Sequence, residues 1–65
     1  MNILFENNQI INLENVDRIY PEMSPDGYHM LIVQFSGGNK TILFSGTKEV
    51  RDNIIMKIAK KMEQA

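Results

Sequence analysis

Residues 28–46 read YHMLIVQFSGGNKTILFSG, two apolar stretches separated by a short run that is rich in glycine. Residues 28–35 and 40–45 are rich in β-branched and aromatic side chains, which is the usual composition of strands. Glycine and asparagine between them supply the positive φ angles that a two-residue hairpin loop requires. The segment therefore predicts a β-hairpin with a loop of Gly37-Gly38 or Gly38-Asn39.

The same glycines also invite comparison with a phosphate-binding loop. That loop has the pattern G-x-x-x-x-G-K-[ST] and lies between a strand and a helix. Asn39 stands where a glycine should precede Lys40, and Gln34 stands where the first glycine should be. Residues 42–44 continue as a strand, so no helix N-terminus is offered to a phosphate. The stretch is interpreted as a turn.

Alternation of side chains along the two strands divides the hairpin into two faces. Either two-residue loop places Leu31 and Val33 on the same face as Ile42, and this face is predicted to form the core together with Phe35 and Phe44. The opposite face carries Tyr28, Met30, Ile32, Gln34, Thr41 and Leu43. Half of that opposite face is apolar, so either the N-terminal strands cover it or it contacts a second subunit or a partner.

Shorter strands are predicted upstream of the hairpin. Residues 3–5 and 9–13 are apolar runs joined by an Asn-Asn pair, which tolerates left-handed backbone and forms a tight turn. Residues 16–23 form a third run, and because Pro21 lacks a backbone N–H, that strand either lies at an edge or ends near Pro21. Residues 24–27, Ser-Pro-Asp-Gly, fit a type I turn.

From Thr47 onward the period of the apolar residues changes from two to 3.6, which is the period of a helix. One helical face then carries Val50, Ile54, Ile55, Ile58, Ala59 and Met62. Thr47 is the predicted N-cap, because its hydroxyl can accept a hydrogen bond from a free N–H of the first turn. The chain is therefore predicted to be one α+β domain over residues 1–65. Four to five short antiparallel strands lie within residues 2–46, and one amphipathic helix over about 47–63 packs on one face of the sheet.

Length and composition limit how such a domain is stabilised. A chain of 65 residues buries only about 60% of its unfolded surface, so its stability is marginal. The absence of cysteine and the single histidine exclude disulfides and zinc–thiolate sites. A hydrophobic fraction of 43% is that of a folded protein. The remaining sources of stability are good packing and a partner subunit, and a homodimer is predicted.

Charge and hydropathy indicate where the protein acts. Residues 1–46 hold five acidic and two basic side chains, and residues 47–65 hold five basic and three acidic ones. Neither excess is strong enough to predict a polyanionic partner. The start of the chain does not resemble a signal peptide, and no apolar stretch approaches the roughly 18 residues of a membrane span. A soluble, cytoplasmic protein is expected.

No arrangement of residues indicates catalysis. His29 lies beside a turn, and neither a serine or cysteine nucleophile motif nor a recognisable pair of acids accompanies it. The acidic residues of the first part of the chain are interpreted as solvated charges, and these are Glu14, Asp17, Glu22 and Asp26. No catalytic residue, cofactor site or metal site is predicted.

The residues predicted to contact a protein partner are Tyr20, Tyr28, Met30, Ile32, Leu43 and Arg51. Arg51 is unusual because it lies within the apolar stripe of the helix and in its first turn, where a cation opposes the helix dipole. Two interpretations stay open for this side chain. It lies at the edge of the core with its charge reaching solvent or paired with a sheet carboxylate such as Asp17, or it contacts the partner, since arginine is enriched in binding hot spots.

These observations favour a non-enzymatic protein-binding module, an adaptor or inhibitor of the kind that phages and mobile elements encode. One alternative is binding of single-stranded nucleic acid through a stacking platform and basic helix residues, namely Tyr20, Tyr28 and Phe35 with Lys57, Lys60 and Lys61. Another alternative is a pocket for a small ligand or nucleotide within a dimer.

Two stretches carry a family resemblance, IINLENVDRIYP at residues 10–21 and LIVQFSGGNKTILF at residues 31–44. Together with the C-terminal helix they resemble the later part of bacterial pleckstrin-homology-like domains, over residues 9–63. Small proteins of low-GC bacteria and their phages look similar. Because a complete domain of that class has more strands, the resemblance implies a full barrel only if two chains complete one. It implies binding of proteins or lipid headgroups rather than catalysis, and it identifies no binding residue.

Overall fold

The structure is a computed structural model that describes residues 3–63 of the chain. In chain order its elements are β1 (Ile3–Glu6), β2 (Gln9–Asn12), a 3-10 helix (Leu13–Asn15), β3 (Val16–Met23), β4 (His29–Phe35), β5 (Lys40–Gly46) and α1 (Lys48–Glu63). β1 and β2 form one antiparallel hairpin, and β3, β4 and β5 form an antiparallel sheet in that order. The predicted α+β class with one C-terminal helix packed on the sheet is confirmed.

Local signals in the sequence place the turns and the start of the helix. Asn7 and Asn8 have φ angles of 51° and 63°, which are the positive values of a two-residue type I′ loop. The N–H of Gly27 donates to the Ser24 carbonyl at 3.0 Å and closes the turn between β3 and β4. The N–H of Val50 donates to Oγ1 of Thr47 at 3.4 Å. The predicted Asn-Asn turn, Ser-Pro-Asp-Gly turn and Thr47 N-cap are therefore confirmed.

A single hydrophobic core lies on one face of the three-stranded sheet. It comprises Leu4, Ile11, Leu13, Leu31, Val33, Leu43, Ile54 and Ile58. The β1–β2 hairpin and α1 contribute to this same cluster, and Nζ of Lys57 forms an ion pair with Oε2 of Glu6 at 2.8 Å between them. Both elements therefore lie on one side of the sheet. The interpretation in which the N-terminal strands cover the opposite face is wrong.

The loop between β4 and β5 has three residues rather than the predicted two. The N–H of Gly38 donates to the Phe35 carbonyl at 2.9 Å, and the N–H of Phe35 donates to the Asn39 carbonyl at 2.8 Å. Gly38 has a φ of 91°, as the third residue of such a loop requires. The additional loop residue moves β5 by one position, so that Ile42 lies directly opposite Ile32.

A β-bulge then restores the predicted register farther along β5. Leu31 pairs with Phe44 and Ile32 pairs with Ile42, which leaves Leu43 as the extra residue. A bulge bends the strand and redirects its side chains. Leu43 is consequently 0% exposed and lies in the core, whereas Ile42 is 52% exposed. The predicted positions of these two residues are therefore exchanged, and Leu43 is unavailable to a partner.

Both free edges of the three-stranded sheet are obstructed. On β5, Nδ2 of Asn7 donates to the Leu43 carbonyl at 2.8 Å, and Nε2 of Gln9 donates to the Ile42 carbonyl at 3.0 Å. Side-chain amides of the N-terminal hairpin thus occupy acceptors at the bulged edge. The predicted edge position of β3 is confirmed. Pro21 has no backbone N–H, so this edge lacks one hydrogen-bond donor.

Replacing Asn7 by glycine is expected to lower the free energy of unfolding by about 0.5–1.5 kcal/mol, the net value of one hydrogen bond. Glycine keeps the positive φ of the turn, so the change removes the amide without straining the backbone. The control is Asn8→Gly, which creates the favoured Asn-Gly pair and should be neutral or slightly stabilising. Urea unfolding followed by circular dichroism measures both, and equal effects would show that the Asn7 amide does not stabilise the edge.

Candidate protein-interaction surface

The side of the three-stranded sheet that faces away from α1 is built from three rows of side chains. Strand pairing defines a basic row of Arg18, Gln34 and Lys40, an apolar row of Tyr20, Ile32 and Ile42, and an acidic row of Glu22, Met30 and Ser45. We call these nine residues the second face. Each row runs across the strands, from β3 through β4 to β5. The second face therefore has an apolar centre between two polar ends.

Ile32 lies at the centre of the apolar row. It is only 5% exposed, yet it does not belong to the core cluster. Its direct neighbours across the strands are Tyr20 and Ile42. Ile32 therefore lies outside the main core cluster, in a row whose member Ile42 is 52% exposed. An apolar centre with a polar rim is the usual organisation of a protein interface.

Arg18 is held over the second face by two contacts. Its Nε donates to Oε1 of Gln34 at 2.9 Å, and its guanidinium carbon lies 4.6 Å from the centroid of the Tyr20 ring. An exposed cation–π contact of this kind contributes about 0.5–1 kcal/mol. These two contacts orient the charge of Arg18 above the sheet.

The charges of the second face have no partners within the described part of the chain. The ion pairs among residues 3–63 are Arg51–Asp52 and Lys57–Glu6. Neither pair involves the second face, so Arg18, Lys40 and Glu22 are all left without an oppositely charged neighbour. These three charges are therefore not neutralised by ion pairs within residues 3–63.

The structure brings together some of the predicted contact residues and separates others. Tyr20, Met30 and Ile32 lie together on the second face, as their alternation along β3 and β4 predicts. Tyr28 is exposed but precedes β4, and it lies outside the three rows. Ile42 replaces the predicted Leu43. A three-residue loop with glycine at its last position is a known hairpin pattern, and its recognition would have placed Ile42 opposite Ile32.

Arg51 lies on the helical side of the sheet and takes no part in the second face. Its Nη2 is 2.9 Å from Oδ1 of Asp52, and its Nη1 is 3.4 Å from Nδ1 of His29. The ion-pair partner of Arg51 is therefore its neighbour on α1, and the proposed pairing with Asp17 is wrong. The contact with His29 joins the first turn of the helix to the first residue of β4.

The aromatic platform proposed for single-stranded nucleic acid is not assembled. Tyr20 lies on the second face, whereas Phe35 packs against the core cluster on the other side of the sheet. Lys57 lies on α1 and is paired with Glu6. Because stacking requires aromatic rings and cations along one groove, this arrangement does not favour nucleic-acid binding.

Two other surfaces were candidates for a partner. A cavity of about 260 Å³ between β3 and α1 is lined mainly by apolar side chains, including Ile19, Ile55 and Met62. On the outer side of the β1–β2 hairpin, Phe5 and Ile10 form a cross-strand pair of exposed apolar side chains. The second face differs from both surfaces because it extends across all three strands of the sheet.

No family model, curated protein or solved structure matches this chain. The relation to pleckstrin-homology-like domains therefore stays a prediction. Within residues 3–63, α1 is neither long nor apolar enough to cross a membrane. The same residues contain no group of three acidic or histidine side chains that could hold a metal ion.

Proposed function

We propose that the chain is a non-enzymatic protein-binding module, of the adaptor or inhibitor type, that associates through its second face. The observation that carries this proposal is the apolar row of Tyr20, Ile32 and Ile42 at the centre of the sheet, in which Ile42 is 52% exposed. A folded domain normally covers such a row with a second layer of structure. Here the β1–β2 hairpin and α1 both pack on the other side of the sheet.

The obstructed strand edges support association by the face rather than by strand addition. Strand addition requires a row of free backbone donors and acceptors along an edge. Pro21 removes a donor on β3, and the amides of Asn7 and Gln9 occupy acceptors on β5. A partner therefore gains more from side-chain contacts with the apolar row than from backbone pairing.

The balance of charge on the second face also favours a protein over a nucleic acid. Arg18 and Lys40 lie at one end of the face, and Glu22 lies at the other. A phosphate backbone is attracted by a continuous basic surface, whereas proteins commonly match charges of both signs. The mixed signs across one apolar row are therefore better suited to another protein.

The test of this proposal replaces Ile42 by glutamate. Ile42 is 52% exposed, so the change adds a charge to the contact surface without disturbing the core. When immobilised, the variant is expected to capture at least about tenfold less protein from a cell lysate than the wild-type chain captures. The reason is that a desolvated charge in an interface costs several kcal/mol. Capture is measured after nuclease treatment, so that proteins bound through nucleic acid are removed.

The matched control is Ile10→Glu, the same substitution at an isoleucine of β2 that is 72% exposed. This control is expected to retain capture. Loss of capture in Ile10→Glu but not in Ile42→Glu would move the contact surface to the outer side of the hairpin. Capture that disappears with nuclease would favour nucleic-acid binding instead.

A further inference from the structure

The second face has opposite charges at its two ends. Along one strand, side chains on the same face repeat every two residues, which is about 6.6 Å. Arg18 and Glu22 therefore lie roughly 13 Å apart, on either side of Tyr20 in β3. The apolar row lies midway between them. A surface with this pattern is complementary to its own reversed copy.

We propose that a second copy of this chain covers the second face. The two sheets pack face to face around a twofold axis that runs along the apolar row, perpendicular to the strands. This inference rests on the proposed function, because it names the protein that occupies the same surface. The residues that decide the arrangement are Arg18 and Glu22.

A twofold axis along the apolar row exchanges the two ends of the face. The basic row of one copy then lies over the acidic row of the other, and Arg18 of each copy faces Glu22 of its counterpart. Each dimer contains this ion pair twice, as an isologous interface requires. The apolar rows of the two copies contact each other along the axis. Ile32 is then covered by Ile32 of the second copy, and Ile42 is covered by Ile42 of the second copy.

The alternative twofold axis, parallel to the strands, is disfavoured by the same charges. That axis leaves each row over its own equivalent and exchanges β3 with β5. Arg18 of one copy would then lie over Lys40 of the other, and the glutamates would receive no cation. Like charges placed opposite each other in an interface are strongly unfavourable. The arrangement of charge thus selects one of the two axes.

The small size of the second face limits the strength of the association. Three strands about 4.8 Å apart and three rows about 6.6 Å apart cover roughly 14 Å by 20 Å. This is small among protein interfaces, and small interfaces belong to weak or transient complexes. We therefore expect reversible, concentration-dependent dimerisation rather than an obligate dimer.

Charge reversal tests the pairing directly, with sedimentation equilibrium as the measurement. Arg18→Glu and Glu22→Arg are each expected to weaken self-association at least about tenfold, because two ion pairs become two repulsions. An equimolar mixture of the two variants should recover association, since both contacts between unlike chains are then Arg–Glu pairs. The double variant R18E/E22R should also recover it within a single chain. Circular dichroism confirms that each variant is folded.

The matched control is Lys40→Glu, which changes the net charge by the same amount as Arg18→Glu. In the proposed arrangement Lys40 faces Ser45 of the second copy, so this change is expected to alter self-association less than about threefold. Strengthened association in Lys40→Glu would instead indicate the axis parallel to the strands. That result would overturn the proposed geometry.

Two further outcomes separate this inference from the proposed function. A mixture of Arg18→Glu and Glu22→Arg that associates no better than either alone overturns the ion pairing. Wild-type protein that stays monomeric at several hundred micromolar overturns the second copy as the occupant. If Ile42→Glu then still abolishes capture of a different protein, the proposed function stands while this inference fails.

Discussion

Replacing Leu43 by alanine is expected to lower the free energy of unfolding by about 2–5 kcal/mol, the usual cost of truncating a buried leucine. Leu43 is fully buried in the core, and its neighbour Ile42 points away from the core and is 52% exposed. Replacing Ile42 by alanine is therefore expected to cost less than about 1 kcal/mol. Urea unfolding followed by circular dichroism measures both variants under the same conditions.

This pair of variants tests the bulge in β5, because the two residues are adjacent in the chain. A regular strand following a two-residue loop would bury Ile42 and direct Leu43 to the second face. An Ile42→Ala variant that is less stable than Leu43→Ala would therefore contradict the observed register. Leu43→Met, which roughly conserves side-chain volume, is the control and should cost less than about 1.5 kcal/mol.

The second large effect is expected at Gly46, where a methyl group is predicted to cost about 1–3 kcal/mol by overpacking. A Cβ atom at this position would lie 2.7 Å from Cζ of Phe44, closer than two carbon atoms approach without repulsion. Phe44 packs against the core cluster and must move to accommodate the methyl group. Thermal and urea unfolding of Gly46→Ala measure the loss.

Gly37 provides the matched control for this substitution. A Cβ atom there would meet nothing within 4 Å, and its φ is not positive. Gly37→Ala is expected to stabilise the protein by about 0.4–1 kcal/mol, because alanine restricts the unfolded chain. Gly46→Ala is expected to cost less in a Phe44→Leu background than in the wild type, because the shorter side chain removes the clash. Equal stability of Gly46→Ala and wild type would show that the ring yields without cost.

The elements of this fold follow from local signals in the sequence. Asparagine at positions 7 and 8 specifies the first turn, Thr47 specifies the start of the helix, and Pro21 marks β3 as an edge strand. Each of these effects depends on the backbone chemistry of one or two residues. Such signals act over a single turn, so the sequence is sufficient to predict them.

The register of β5 was not predicted because it depends on two changes of one residue each. A three-residue loop displaces the strand, and the bulge at Leu43 reverses the displacement for the residues beyond it. Between these two points, the faces of the strand are inverted relative to a regular hairpin. The bulge is also in contact with Asn7, which is 36 residues away in the chain. A contact between residues so far apart in the chain cannot be predicted from a local sequence pattern.

The same distinction explains which parts of the candidate surface were predicted. Tyr20, Met30 and Ile32 were identified because alternation along β3 and β4 is sufficient to place them on one face. Ile42 was missed because its position depends on the register of β5. Alternation along β3 also places Arg18 and Glu22 on this face, but the strand pairing was required to show that they lie at opposite ends of an apolar row that crosses the sheet.

The obstructed edges of the sheet limit how far this protein can polymerise. A sheet with two open edges can add strands without end and grow into fibres. Here Pro21 opposes growth on one side, and the amides of Asn7 and Gln9 oppose it on the other. An isologous contact through the second face consumes that surface in both copies. In the dimer that we propose, assembly stops at two chains, so the apolar row on the sheet does not lead to open-ended aggregation.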